Sequence, residues 1–337
     1  MPKGLLEVSG TLDLTQFWPS GESDADTAKV VVDGPDAFRF RANPNAQSRV
    51  THAFNGATVR GKGSSPCIDN KGRVTVRFQA IDAPELHYRP TIPTLNKKKP
   101  TPDQKKKFSA NNGNFRQHLG ESAARALAQF LAGAGAGPIR CTLRTQVDEP
   151  GDVFDMFGRL IGDVIVTIGG AEANANRWLC EQGWAYPTFY SSMTEDEIND
   201  FLALAQAAKK AKRGVWKSNS SDVNVFDKTL VFRKNGPVAP DSGAVFMPKL
   251  FRRRSTYGVA KAAGMTKVRF KDYLALEPDA CYETAEFLDS GPTVAVQHHL
   301  DAFISTAGRF LVSAGDLVFQ EGKSKVVGPD GKPAQWW

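Results

Sequence analysis

"VTVRFQAIDAPE", residues 74–85, decides how this chain is read. Val74 to Ile81 has the character of a β-strand, yet it carries Arg77 and runs straight into Asp82 and Glu85. Pro84 then stops the strand from continuing as a central ladder element, because it has no N–H to donate. Charged side chains after a strand are ordinarily solvated surface groups. A guanidinium on the strand with two carboxylates just past its end also suits a ligand that is both metal-bound and phosphorylated. The rest of the chain decides between the two.

At 337 residues the length predicts roughly two domains. The 41% hydrophobic content is enough for at least one ordinary core. The excess of 43 Lys+Arg over 36 Asp+Glu gives a net charge of +7, which favours polyanionic partners. No long apolar run occurs, so no membrane span is expected. The first residues lack the pattern of a signal peptide. Cys67, Cys141, Cys180 and Cys281 are scattered without C-x-x-C spacing, which argues against structural zinc and for free thiols in a cytoplasmic protein.

Working outward from the quoted stretch, residues 5–33 alternate apolar and polar around "WPSGESDADT" and predict a hairpin. Residues 34–71 are rich in Gly, Asn, Pro and Ser and read as an insertion, with "AFRFRA" as a short strand inside it. "NKKKPTPDQKKKF" (96–108) reads as an exposed basic segment, either solvated or a phosphate-gripping arm. Leu119, Ala123, Leu127, Phe130 and Leu131 recur at helical spacing. Strands are expected at 138–147 and 158–168, a helix at 172–182, and another after the capping box Thr194–Glu197. This order predicts an α+β chain: an OB-fold five-stranded β-barrel with helices over residues 1–217. A polar linker (217–222) then leads to a smaller mixed α/β C-terminal accessory domain, 223–337. There, "KTLVFRK" and "AVFMPKLFRRRSTYGV" read as strands and 308–322 as a hairpin, and the tail from Lys323 reads as loosely ordered except for its terminal Trp336-Trp337.

"VRFQAIDAPE", "DMFGRLIGDVIV", "RWLCEQGWAYP" and "AQAAKKAKRGVW" resemble, in order, successive blocks of the staphylococcal nuclease family, over about residues 5–217. The resemblance implies a calcium-dependent phosphodiesterase of DNA and RNA that leaves 5′-hydroxyl and 3′-phosphate ends. It places Arg77, Glu85 and Arg159 at catalytic positions. Asp82, the backbone carbonyl of Ala83, and Asp26 (or its neighbour Asp24) are placed as calcium ligands. Phe189 and Tyr190 are candidates to stack a base, with core packing as the alternative. Met156 stands where the family commonly has Lys.

The chemistry asks for the same residue types. Attack on a phosphodiester gathers charge on oxygens that two planar guanidiniums can clamp and Lys cannot reproduce. Calcium accepts oxygen ligands in loose geometry. A carboxylate such as Glu85 can orient the attacking water or take its proton. A calcium-dependent nuclease is therefore the function expected. The competing expectations are an inactive OB-fold nucleic-acid or protein-binding module, and a nuclease effector recruited by whatever partner the C-terminal domain binds.

Overall fold

A computed structural model describes residues 3–95, 98–218 and 226–337. Five strands close the barrel: β1 (Gly4–Leu12), β2 (Thr27–Val32), β7 (Arg73–Phe78), β9 (Ile139–Val147) and β10 (Leu160–Ile168). β1 pairs antiparallel with β2 and with β9, β2 with β7, and β10 with β9; β10 lies parallel to β7 and completes the closure. Alternation explains the inside: Leu6, Val8 and Leu12 of β1 and Val74, Val76 and Phe78 of β7 are buried. The hairpin expected over 5–33 is the β1–β2 pair.

The insertion contributes four short strands: β3 (Phe38–Arg41), β4 (Arg49–Val50), β5 (Thr58–Arg60) and β6 (Ser64–Pro66). β3 pairs with the first half of β1 while β2 takes the second half. A two-residue strand, β8 (Ile81–Asp82), follows β7. The lysine-rich segment is more ordered than its composition suggested. Residues Pro102–Asn111 form helix α1, started by a Thr101–Gln104 capping box with Pro102 at its first turn. Next come α2 (Gly120–Ala132), β11 (Ala171–Asn174), α3 (Ala175–Glu181), β12 (Tyr186–Pro187), β13 (Phe189–Tyr190), α4 (Glu195–Lys210) and α5 (Val215–Ser218). The Thr194–Glu197 capping box starts α4 as expected.

Much of the expected linker lies outside the described residues. Beyond it the chain forms α6 (Pro248–Ala262), α7 (Phe270–Leu276), β14 (Ala280–Glu283), α8 (Thr284–Ser290), β15 (His298–His299), β16 (Leu317–Phe319) and β17 (Lys325–Val327). Three expectations are corrected here. "KLFRRRSTYGV" is helical, because Pro248 opens a helix whose Leu250, Phe251, Tyr257 and Ala260 bury one stripe. "KTLVFRK" makes only an isolated bridge from Val231 to Phe115. The tail is held: β17 pairs with β5 of the insertion, and Trp336 packs 5.2 Å from Phe54. β16 in turn pairs with β13, and Phe246, Leu250 and Tyr273 share one hydrophobic cluster with Tyr186 and Val215. Segments before and after residues 219–225 therefore share sheets and core.

Candidate active site

Arg77, near the end of β7, lies three residues before Ala80, whose φ of +64° is in the left-handed region that a residue with a Cβ rarely adopts. That turn starts β8 and points Asp82 back at Arg77. The Arg77 Nη2 donates to Asp82 Oδ1 at 2.7 Å, and its Nη1 lies 2.5 Å from Asp26 Oδ2. Asp26 is brought in from the start of β2, whose Thr27 is the register partner of Arg77. The same Oδ2 accepts the Ala83 N–H at 2.7 Å. Asp24 accepts from the Leu86 N–H at 2.9 Å. Both aspartates thus brace the loop that carries the other carboxylates, and they hold different parts of it.

Glu85 is fixed through its backbone. Its N–H donates to Gln117 Oε1 at 3.2 Å, its carbonyl accepts the Gln117 N–H at 2.8 Å, and Gln117 Nε2 donates to the Phe246 carbonyl at 2.8 Å. A Cβ at Gly120 would come within 2.8 Å of the Glu85 carbonyl oxygen, so α2 can start this close only with glycine there. The side chains of Asp82 and Glu85 share a second guanidinium that the sequence did not place here. Arg252, from α6, reaches Asp82 Oδ2 at 3.0 Å and Oδ1 at 3.2 Å and also pairs with Glu85 Oε1. On a strand, consecutive arginines alternate faces, and only part of the run could meet one ligand. On a helix, Arg252 faces the barrel while Arg253 pairs with Asp279 and Glu277. Only its helical spacing relative to Leu250 and Phe251 could have signalled this.

Burial and charge pull the acids apart. Burial drives the Glu85 carboxyl up to about 8; Arg252 opposes this, and repulsion from Asp24, Asp82 and Asp26 adds to it. Burial also raises Asp82, but Arg252 and Arg77 outweigh it and hold that carboxyl below its usual value. Asp24 is raised, by burial first, with His87 opposing and Asp26 reinforcing. For His87, burial works downward, and Asp24 and the Glu22 carbonyl carry it above its ordinary value.

Arg159 stands apart from this cluster. Its Nε and Nη2 both lie 2.7 Å from Asp155 Oδ2, in the turn before β10. It nevertheless lines, with Arg77, a cavity of about 550 Å³. Tyr190 lines the same cavity, next to Lys62 of the insertion and Lys249 of α6. Phe189 is a correction: it is fully buried in the barrel's hydrophobic cluster and offers no face to a base. All four cysteines are free and buried.

The donor set fits calcium in kind and in charge. Asp24, Asp26, Asp82 and Glu85 supply only oxygens, and a cation would favour the ionised forms of Glu85 and Asp24 that burial opposes. Their present arrangement is closed on the guanidiniums of Arg77 and Arg252: among the described residues no three His, Cys, Asp or Glu are grouped to hold a metal ion. No described helix is long and apolar enough to cross a membrane.

Residues 75–218 match the family described as staphylococcal nuclease homologue. The chain is also similar to endonuclease YhcR of Bacillus subtilis (strain 168), 27% identical over 184 residues. That match covers 53% of this chain and 12% of the relative, so the chain spans only a small part of that protein's length.

Proposed function

From the premise that residues 75–218 form a staphylococcal nuclease-like domain, we propose that this chain is a calcium-dependent nuclease of DNA, RNA or both. The observation that carries this reading is the convergence of Arg77, Asp82 and Glu85 from the domain with Asp26 from β2, all four nearly inaccessible to solvent. Burying so many charges is costly, and although Asp24, Asp26 and Arg252 also brace the fold, such a cluster at the edge of a cavity points to a functional site.

Asp26, Asp82 and the Ala83 carbonyl would hold the ion, with Asp24 as the alternative ligand from the same loop. When bound, calcium supplies Lewis-acid polarisation of a phosphoryl oxygen. The chain's own side chains do the remaining work. Arg77, turned from Asp26 and Asp82 toward the cavity it already lines, offers a planar pair of donors to the phosphate oxygens. Arg159, at the start of the neighbouring strand β10, offers the same once it leaves Asp155. Glu85, when ionised, orients the attacking water or accepts its proton; a bound cation beside it would favour that ionised form over the neutral one that burial favours here. Water forms the new P–O bond as the bond to the 5′ oxygen breaks, leaving 3′-phosphate and 5′-hydroxyl ends. Tyr190, at the cavity wall, is the remaining stacking candidate. The four free thiols suit the cytoplasm.

A second reading is favoured by Arg252. With that guanidinium on Asp82 and Glu85, the barrel can serve as a non-catalytic nucleic-acid-binding module, and residues 226–337 keep it so. Single-turnover cleavage of a labelled oligonucleotide, in calcium and in chelator, decides between the two. Calcium-dependent cleavage supports the nuclease, whereas binding of the oligonucleotide without cleavage supports the silent module.

A further inference from the structure

The cavity that Arg77 and Arg159 share is crossed by the segment Gln320–Ser324, all five residues of which line it. On one side this strap is fixed to the wall after β13. The Ser191 N–H donates to the Phe319 carbonyl at 2.9 Å, and Ser191 Oγ accepts the Glu321 N–H at 3.2 Å. On the other side Ser324 Oγ donates to the Phe154 carbonyl at 2.8 Å, and β17 continues directly into its pairing with β5. Midway, Gly322 lies so close to Met156 that a Cβ there would overlap the sulfur. Met156 is itself held from the other side by the Lys62 N–H, which donates to its carbonyl at 2.8 Å. The strap belongs to none of the residues matched to the nuclease family, and it runs between Ser191 and Phe154, both of which line the cavity.

We propose that this strapped cavity selects the free end of a single strand as substrate. The inference rests on the nuclease reading and narrows it to a substrate class. A cavity of about 550 Å³ falls in the range of small-ligand sites, ~300–1,000 Å³. It has room for a nucleotide or two and none for a duplex. A strand without ends cannot pass under a strap tied on both sides, whereas a terminal nucleotide enters and brings its phosphate to Arg77 and Arg159. Tyr190 lies on that path, and stacking on an aromatic ring tolerates any base, so selection acts on the end and on strandedness more than on sequence.

The test uses the full chain in calcium with three DNA probes of one sequence: a linear single strand, the same strand closed into a circle, and its blunt duplex. Cleavage of the linear strand should exceed that of the circle and the duplex by on the order of 10²-fold or more, the scale of an excluded productive geometry. Products should shorten from a terminus. Equal cleavage of circle and linear strand, the behaviour of an endonuclease, would overturn the proposal. Binding to the Glu85→Gln protein, read by fluorescence anisotropy, separates the two layers of inference. If nothing is cleaved but the linear strand binds and the circle does not, end selection stands and the nuclease reading falls. If the linear strand and the circle bind alike, end selection falls whatever the cleavage result.

Discussion

The barrel rim carries two arginine–carboxylate groups that differ in depth and in reach. At the end of β7, Asp82 is 1% exposed and is held between Arg77 and Arg252, the latter 170 residues away in sequence. At the turn before β10, Arg159 pairs with Asp155 four residues away, and about a third of the arginine's side chain is open to solvent. The first group ties the barrel to α6 and buries several acids together. The second is local, nearly balanced, and lines the cavity it shares with Arg77. Breaking the first should therefore change both stability and chemistry, whereas breaking the second should be almost free for the fold.

The largest effect is expected from Glu85→Gln. The amide keeps the shape and can still meet Arg252, but it cannot take a proton. Single-turnover cleavage should fall by about 10² to 10⁴, the usual contribution of a general base, with oligonucleotide binding retained. Wild-type rates in a well-folded variant would mean that the deep cluster is purely structural.

Arg252→Gln comes next and tests what the long-range pair does. Asp82 and Glu85 would lose a shared counter-charge. Removing one partner of a fully buried pair costs about 3 to 5 kcal/mol; Arg252 is partly exposed and Arg77 remains, so about 2 kcal/mol is expected. Calcium should then raise the melting temperature of the variant more than that of the wild type, because a cation can replace the lost guanidinium. An unchanged melting temperature without calcium would erase the contrast between the two groups.

At the shallow group, Arg159→Gln should cost less than about 1 kcal/mol, as exposed i,i+4 pairs do. A thermal melt that drops as far as that of the Arg252 variant would show the two groups to be equivalent. A pH-dependent effect that bears on neither group lies away from both, at Asp163 of β10. One of its carboxylate oxygens is shielded from water without a hydrogen-bond partner, while the other accepts from Asn174 at 2.8 Å. Burial, opposed by Asn174 and reinforced by Glu197, lifts its carboxyl to about 7. The folded state thus holds a proton that the unfolded state releases near its model value of 3.8. The stability contributed is complete below that value and is lost as pH rises through about 7. Asp163→Asn should flatten this slope and gain on the wild type above about 7. Parallel melting curves for both proteins on either side of that pH would refute it.

Sequence by itself determined the barrel. The alternation in β1 and β7, the capping box of α4 and the apolar stripe of α2 are local patterns, and each is satisfied by burial on one face. The family resemblance also marked Arg77, Asp82 and Glu85 as parts of one site, while the turn at Ala80 that brings Asp82 back to Arg77 emerged only in the structure. Only the tertiary structure decided the rest. Arg252 and Glu85 are 167 residues apart, and their contact depends on how α6 packs, which no nearby residue pattern encodes. Arg159 could face the carboxylate cluster or Asp155, and the geometry of its turn selected Asp155. The tail looked unstructured because the strand it completes lies in an insertion some 265 residues earlier, as the pairing of Lys325 with Arg60 shows. Local propensity reads a turn or a helix face. A site assembled from distant segments is fixed only when packing brings them together.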